Sequence, residues 1–134
     1  EGIDKSVMSK RTEYGGKWMT KDPRKCADIA AKTLEDKKGQ DIVVLDISNI
    51  SIISDYFVIA SGTSHLHVKA LADEVEKKLI QAGYDFRGKE GYAQAKWVLL
   101  DFYDVVIHIF YKSEREHYML ERLWADGKLV DRAH

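Results

Sequence analysis

The alternation of apolar and polar positions divides the chain into a short series of elements. In KDPRKCADIAAKTLEDKKG, residues 21–39, Cys26, Ile29, Ala30 and Leu34 recur at helical spacing and predict one buried stripe. Asp22 is placed to cap this helix. Pro23 falls at its first position, where a missing N–H costs nothing, and Gly39 supplies a stop. The period then shortens. DIVVLDI (41–47) is β-branched and apolar on both faces, the pattern of a strand covered by helices. NISIIS makes a short crossing, and DYFVIAS (55–61) predicts a second buried strand. Helical spacing returns from Ser64 to Ala82, with Val68, Leu71, Ala72, Val75 and Leu79 on one stripe and Gly83 at the end. YDFRGKEGYAQAK carries two glycines and reads as a short edge strand followed by a loop.

KWVLLDFYDVVIHIFY predicts two strands joined at Tyr103-Asp104 as a hairpin. Alternation puts Val98, Leu100 and Phe102 on a core face. Trp97, Leu99, Asp101 and Tyr103 share the opposite face, and two large aromatics beside a carboxylate are a poor composition for a dry interior. They suit a partner-binding face, because Trp and Tyr anchor interfaces well; the alternative is that Trp97 is a core residue under the third helix. In SEREHYMLERLWADG, Ser113 and Glu116 form a capping box for a closing helix that contributes Tyr118, Leu120, Leu123 and Trp124 and ends at Asp126-Gly127. The order is an α/β one: a mixed sheet with helices packed on it, parallel where a helix crosses over and antiparallel at the hairpin. Residues 1–18, EGIDKSVMSKRTEYGGKW, lack periodicity and read as an appended leader or disordered extension, with residues 19–134 forming a single domain and a native start expected at Met8 or Met19.

Composition narrows the function. With 134 residues and 45% apolar content, the chain can bury one sizeable core. Lys plus Arg is 21 against 22 Asp plus Glu, so the basic excess of a protein that grips nucleic acid broadly is missing. One cysteine, Cys26, excludes an internal disulfide. No apolar run approaches the roughly 20 residues of a membrane helix.

One stretch invites a catalytic reading. SDYFVIASGTSHLH (54–67) runs from a strand through a small-residue turn into a helix N-terminus, the parts of a phosphate cradle. A nucleotidyltransferase-type site also needs two carboxylates two residues apart to hold Mg²⁺. Here the turn is followed by His65-Leu66-His67, and Asp73 and Glu74 lie more than two turns into the helix. There is no P-loop lysine and no G-x-G-x-x-G. Ser61, Gly62, Thr63 and Ser64 are therefore expected to form a corner without catalytic function. His65 and His67 point apart on a helix, so no metal site is expected, and His108, sharing a face with Val106 and Phe110, reads as a hydrogen-bonded core histidine. No cofactor is implied.

Four segments in order, GQDIVVLDI, SDYFVIASGTSHLHVKALADEV, EGYAQAKWVLLDFYDVVIHIF and REHYMLERLW, resemble the Iojap-related ribosomal silencing factors over roughly residues 24–126. The resemblance implies a nucleotidyltransferase-like α/β fold without catalytic carboxylates, and no enzyme activity. It implies binding to the large ribosomal subunit through protein fourteen of the L series, steric blocking of subunit joining, and translation repression under nutrient limitation. The alternatives are a large-subunit assembly factor using the same interface and a nucleotide-handling enzyme. The resemblance implicates Trp97, Leu99, Asp101 and Tyr103 in partner contact; on the closing helix it matches Arg115 and Glu121, for partner contact or for bracing the sheet, and Tyr118 and Trp124, read as bracing it. HLH departs from the polar, Arg-containing pattern of the family at this point, so no contact carries over to His65 or His67. A homodimer is left open, no membrane partner is implied, and the implied location is the bacterial cytoplasm or an organelle matrix.

Overall fold

The computed structural model describes residues 22–114 and 128–130; the leader 1–18 and the closing helix, with Arg115, Glu116, Tyr118, Glu121 and Trp124, lie outside the described residues. Helix α1 spans Pro23–Asp36. The Asp22 carboxylate accepts from the Arg24 backbone N–H at 3.0 Å, and Pro23 opens the first turn as its fixed φ requires. The stop differs in detail from expectation. Lys38, with φ +66°, takes the left-handed position rather than Gly39, and the Gly39 N–H then closes onto Leu34 C=O at 2.7 Å. Gly39 serves close approach instead, since a Cβ there would stand 3.1 Å from that carbonyl oxygen.

Strand β1 (Gln40–Asp46) pairs antiparallel with β2 (Tyr56–Gly62), because the loop between them contains no crossover helix. Helix α2 (His65–Gln81) follows β2, buries the expected stripe of Val68, Leu71, Ala72, Val75 and Leu79, and ends at Gly83 with φ +93°. Strand β3 (Gly88–Glu90) is the short edge strand, and β4 (Trp97–Phe102) and β5 (Val105–Tyr111) form the hairpin, in antiparallel register with Trp97 opposite Phe110. A two-residue strand, β6 (Lys128–Leu129), pairs with β1; it is too short to leave a sequence pattern.

The sheet order is β3-β4-β5-β2-β1-β6, mixed because β2 and β5 are parallel while the other pairs are antiparallel. Both helices pack on one face. Cys26, Ala30 and Leu34 of α1 and the α2 stripe meet Val44, Val58, Ala60, Val98, Leu100, Ile107 and Ile109 in one core. A second, smaller cluster lies on the other face: Leu45, Ile47, Ile59 and Phe110 are fully buried, with Val43, Phe57 and Trp97 packed against them half-buried. This division of the sheet positions the candidate site.

Candidate functional site

Along β4 the burial alternates residue by residue. Val98, Leu100 and Phe102 face the helices and are buried; Trp97, Leu99 and Asp101 face the other way and are half-buried, and Tyr103 follows in the turn, also half-buried. The four candidate residues thus fall on consecutive outward positions of one strand and its turn.

Each is held by identifiable partners. The Trp97 indole N–H donates to His108 Nδ1 at 3.0 Å, and the indole stacks on Phe110 with ring centroids 5.3 Å apart. Leu99 lies opposite His108 in the ladder. Asp101 accepts the Tyr103 backbone N–H through Oδ1 at 2.8 Å, and its Oδ2 stands 3.8 Å from an Arg87 guanidinium nitrogen. This pair is partly solvated, so its contribution to stability is small. Tyr103 takes the left-handed conformation, φ +69°, which is uncommon for a bulky residue. It is held there by Asp101 and by the Ser54 hydroxyl, which donates to Tyr103 C=O at 3.0 Å. Asp104 C=O accepts from Asp55 N–H and Tyr56 N–H at 2.7 and 3.0 Å, tying the hairpin turn to the start of β2.

Arg87 and His108 complete the site, and sequence reading placed neither in a functional role. Arg87 extends toward the Tyr103 ring, 6.0 Å from its centroid, and with Gly88, Lys89, Glu90, Leu99 and Asp101 lines a groove along the edge strand. Its pairing with β4 is a tertiary fact with no local signal. His108 is the expected buried, hydrogen-bonded histidine, with Phe57 edge-on at 4.5 Å; burial lowers its pKa to about 4.

The small-residue corner has a structural account. A Cβ on Gly62 would stand 2.8 Å from Val68 Cγ2 and 3.0 Å from Val68 N, so the glycine permits close approach of α2. Ser64 is the N-cap, its hydroxyl accepting from His67 N–H at 3.0 Å. The Thr63 backbone N–H donates to His67 Nδ1 at 3.0 Å; the proton therefore sits on Nε2, which donates to Lys37 C=O at 2.9 Å. His65 reaches a different element, with Nδ1 3.1 Å from Ala95 C=O and its ring 4.3 Å from that of Tyr111. The two imidazoles are committed to separate backbone partners. Among the described residues no cluster of three or more His, Cys, Asp or Glu side chains could hold a metal ion.

Among the described residues, a mixed sheet with helices on one face and an aromatic, aliphatic and carboxylate strip on the other defines a small α/β protein. The chain belongs to the ribosomal silencing factor family: the family model described as "Ribosomal silencing factor during starvation" matches residues 20–134. It is 44% identical over 103 residues to the ribosomal silencing factor RsfS of Bacillus subtilis, covering 77% of this chain and 87% of that protein. It is 35% identical over 100 residues to the mouse protein named mitochondrial assembly of ribosomal large subunit protein 1, covering 72% of this chain and 44% of the mouse protein. Two crystal structures share the fold. A Bacillus halodurans protein, 38% identical, has a TM-score of 0.72 over 81% of this chain and 99% of its own; a Chromobacterium violaceum protein, 37% identical, has a TM-score of 0.76 over 85% and 95%. The bacterial relatives are named as silencing factors and not as enzymes, and the family places this chain among ribosome-associated regulators.

Proposed function

We propose that this chain binds protein fourteen of the L series on the large ribosomal subunit, through the face bearing Trp97, Leu99, Asp101 and Tyr103, and so keeps the subunits apart and represses translation when nutrients are short. The observation that carries this reading is the composition of that face. Two half-buried aromatics, an aliphatic and a carboxylate stand in line on the side of the sheet opposite the helices. Aromatic rings supply buried area at an interface, and a carboxylate pairs with the Lys and Arg of a basic ribosomal protein. Near-neutral net charge suits a protein partner better than broad contact with rRNA. Blocking needs no chemistry, since a bound domain excludes the other subunit by volume; we read the chain as a non-enzyme acting in the cytoplasm. Arg115 and Glu121, outside the described residues, belong to this proposal through the family resemblance alone.

A second reading, large-subunit assembly through the same face, is favoured by the name of the mouse relative. The experiment is co-sedimentation of the Trp97→Ala variant with large subunits, with circular dichroism and a subunit-joining assay on the same sample. Truncating a central Trp typically costs about 2 kcal/mol or more, so binding should weaken by roughly 30-fold or more. A folded variant that still co-sediments and still blocks joining would overturn the proposed face. Blocked joining by the wild type favours silencing, whereas binding confined to immature large subunits favours assembly.

A further inference from the structure

Trp97 is half-buried at the start of β4, packed against the smaller core cluster, and it is not free to choose its orientation. Its indole N–H, which can only donate, is 3.0 Å from His108 Nδ1. One side of the indole plane is stacked on Phe110. The accepting imidazole is itself fixed: it is 4% exposed, meets Phe57 edge-on at 4.5 Å and lies nearly parallel to Phe110. With Nδ1 accepting, a neutral imidazole must carry its proton on Nε2.

That second nitrogen is the informative one. His108 Nε2 is buried and finds no hydrogen-bond partner among the described residues. A buried donor left unmade is destabilising, and an apolar ring would fill the same space without that cost. Packing therefore gives no reason for a histidine at this position. The hydrogen bond at Nδ1 does, since among aromatic side chains only imidazole offers an in-plane nitrogen acceptor.

We propose that His108 is a positioning residue for the docking strand: by accepting the Trp97 indole N–H it sets, before any partner arrives, the orientation in which that ring is presented. The inference rests on the reading of the Trp97 face as the ribosomal docking surface and adds how the surface is preorganised. Holding a side chain in its bound rotamer removes part of the ordering entropy otherwise paid on association. Burial supports the arrangement, because it keeps the imidazole neutral and Nδ1 available to accept throughout the physiological range.

The test uses the full chain. In ¹⁵N-labelled wild type at pH 7, long-range imidazole correlations report the tautomer. A proton on Nε2 is expected; a proton on Nδ1 overturns the proposal whatever the variants do. His108→Phe keeps an aromatic ring and removes the acceptor, while His108→Asn places an amide oxygen near the Nδ1 position. The Phe variant should bind large subunits about fivefold more weakly and shift the Trp97 indole N–H resonance, assigned with Trp97→Phe, toward its unbonded position. The Asn variant should recover both. A folded His108→Phe that binds as wild type, while Trp97→Ala does not, overturns the positioning role and leaves the docking face standing. Unchanged binding by Trp97→Ala overturns the docking face itself. Should His108→Phe fail to fold, the Asn variant decides between near-wild-type binding, which supports the role, and a loss as large as that of Trp97→Ala, which overturns it. If neither variant folds, the wild-type tautomer decides.

Discussion

Burial of His108 makes the fold sensitive to acid. The ordinary imidazole titrates near pH 6.5, and in the folded protein desolvation alone lowers this to about 4. Between those values the unfolded chain holds the extra proton, so stability is complete above about pH 6.5 and declines as pH falls toward 4. A shift of this size corresponds to about 3 kcal/mol. Thermal melts at pH 7 and pH 4 should show a fall in Tm for wild type that is clearly smaller for His108→Asn; equal falls would mean that His108 does not dominate this window. Cys26 presents the converse case. It is 1% exposed on the helix side of the sheet, and burial, with a smaller contribution from the Asp104 charge, pushes its thiol up to about 12. The thiolate is the reactive form. Ellman's reagent at pH 8 should therefore leave the native protein unlabelled and titrate one thiol after unfolding; prompt labelling of the native state would place Cys26 at an accessible surface.

Two elements concentrate their demands on a few positions. At the corner between β2 and α2, a methyl group on Gly62 meets the Val68 backbone as well as its side chain, so relief requires moving the helix. Gly62→Ala should cost about 1–3 kcal/mol by overpacking, and Ser64→Ala about 1 kcal/mol by loss of the cap, both read by denaturant unfolding. A neutral Gly62→Ala would show that α2 can retreat from the strand. In the β4–β5 hairpin, Asp101 has two separable roles. Its Oδ1 holds the left-handed Tyr103, and its charge is available to a cationic partner. Asp101→Asn keeps an oxygen acceptor and should leave Tm nearly unchanged while weakening ribosome binding; Asp101→Ala should lower stability by about 1 kcal/mol as well. If both variants bind as wild type, the carboxylate makes no contact with the partner.

On the scale of the whole molecule, the two described helices pack on one face of the sheet, and the candidate strip lies on the other. The corner at residues 61–64 is occupied by protein contacts, His67 bonding Thr63 N–H and Lys37 C=O while Val68 stands against Gly62. Incubation with nucleoside triphosphates and Mg²⁺ should give no transfer or hydrolysis. Turnover that disappears in Ser64→Ala would assign chemistry to the corner and reverse the reading of the chain as a non-enzyme.

What the sequence by itself determined was everything encoded by local period and local chemistry. The stripe on α2, the N-cap Asp22, the Gly83 stop and the β4 alternation each arise within a few residues, so Trp97, Leu99, Asp101 and Tyr103 were legible as one face from spacing alone. The buried, hydrogen-bonded state of His108 was legible from its apolar neighbours, but the donor was not, since Trp97 lies on the neighbouring strand and meets it only once the hairpin register is set. Tertiary structure alone decided the parallel pairing of β2 with β5, the addition of β6 and the approach of Arg87 to Asp101 and Tyr103. It also moved the left-handed residue of the α1 stop from Gly39 to Lys38, because Gly39 was needed against Leu34. Local pattern records which side of an element is apolar; which element covers that side depends on chain closure over many residues, and no window along the sequence contains it.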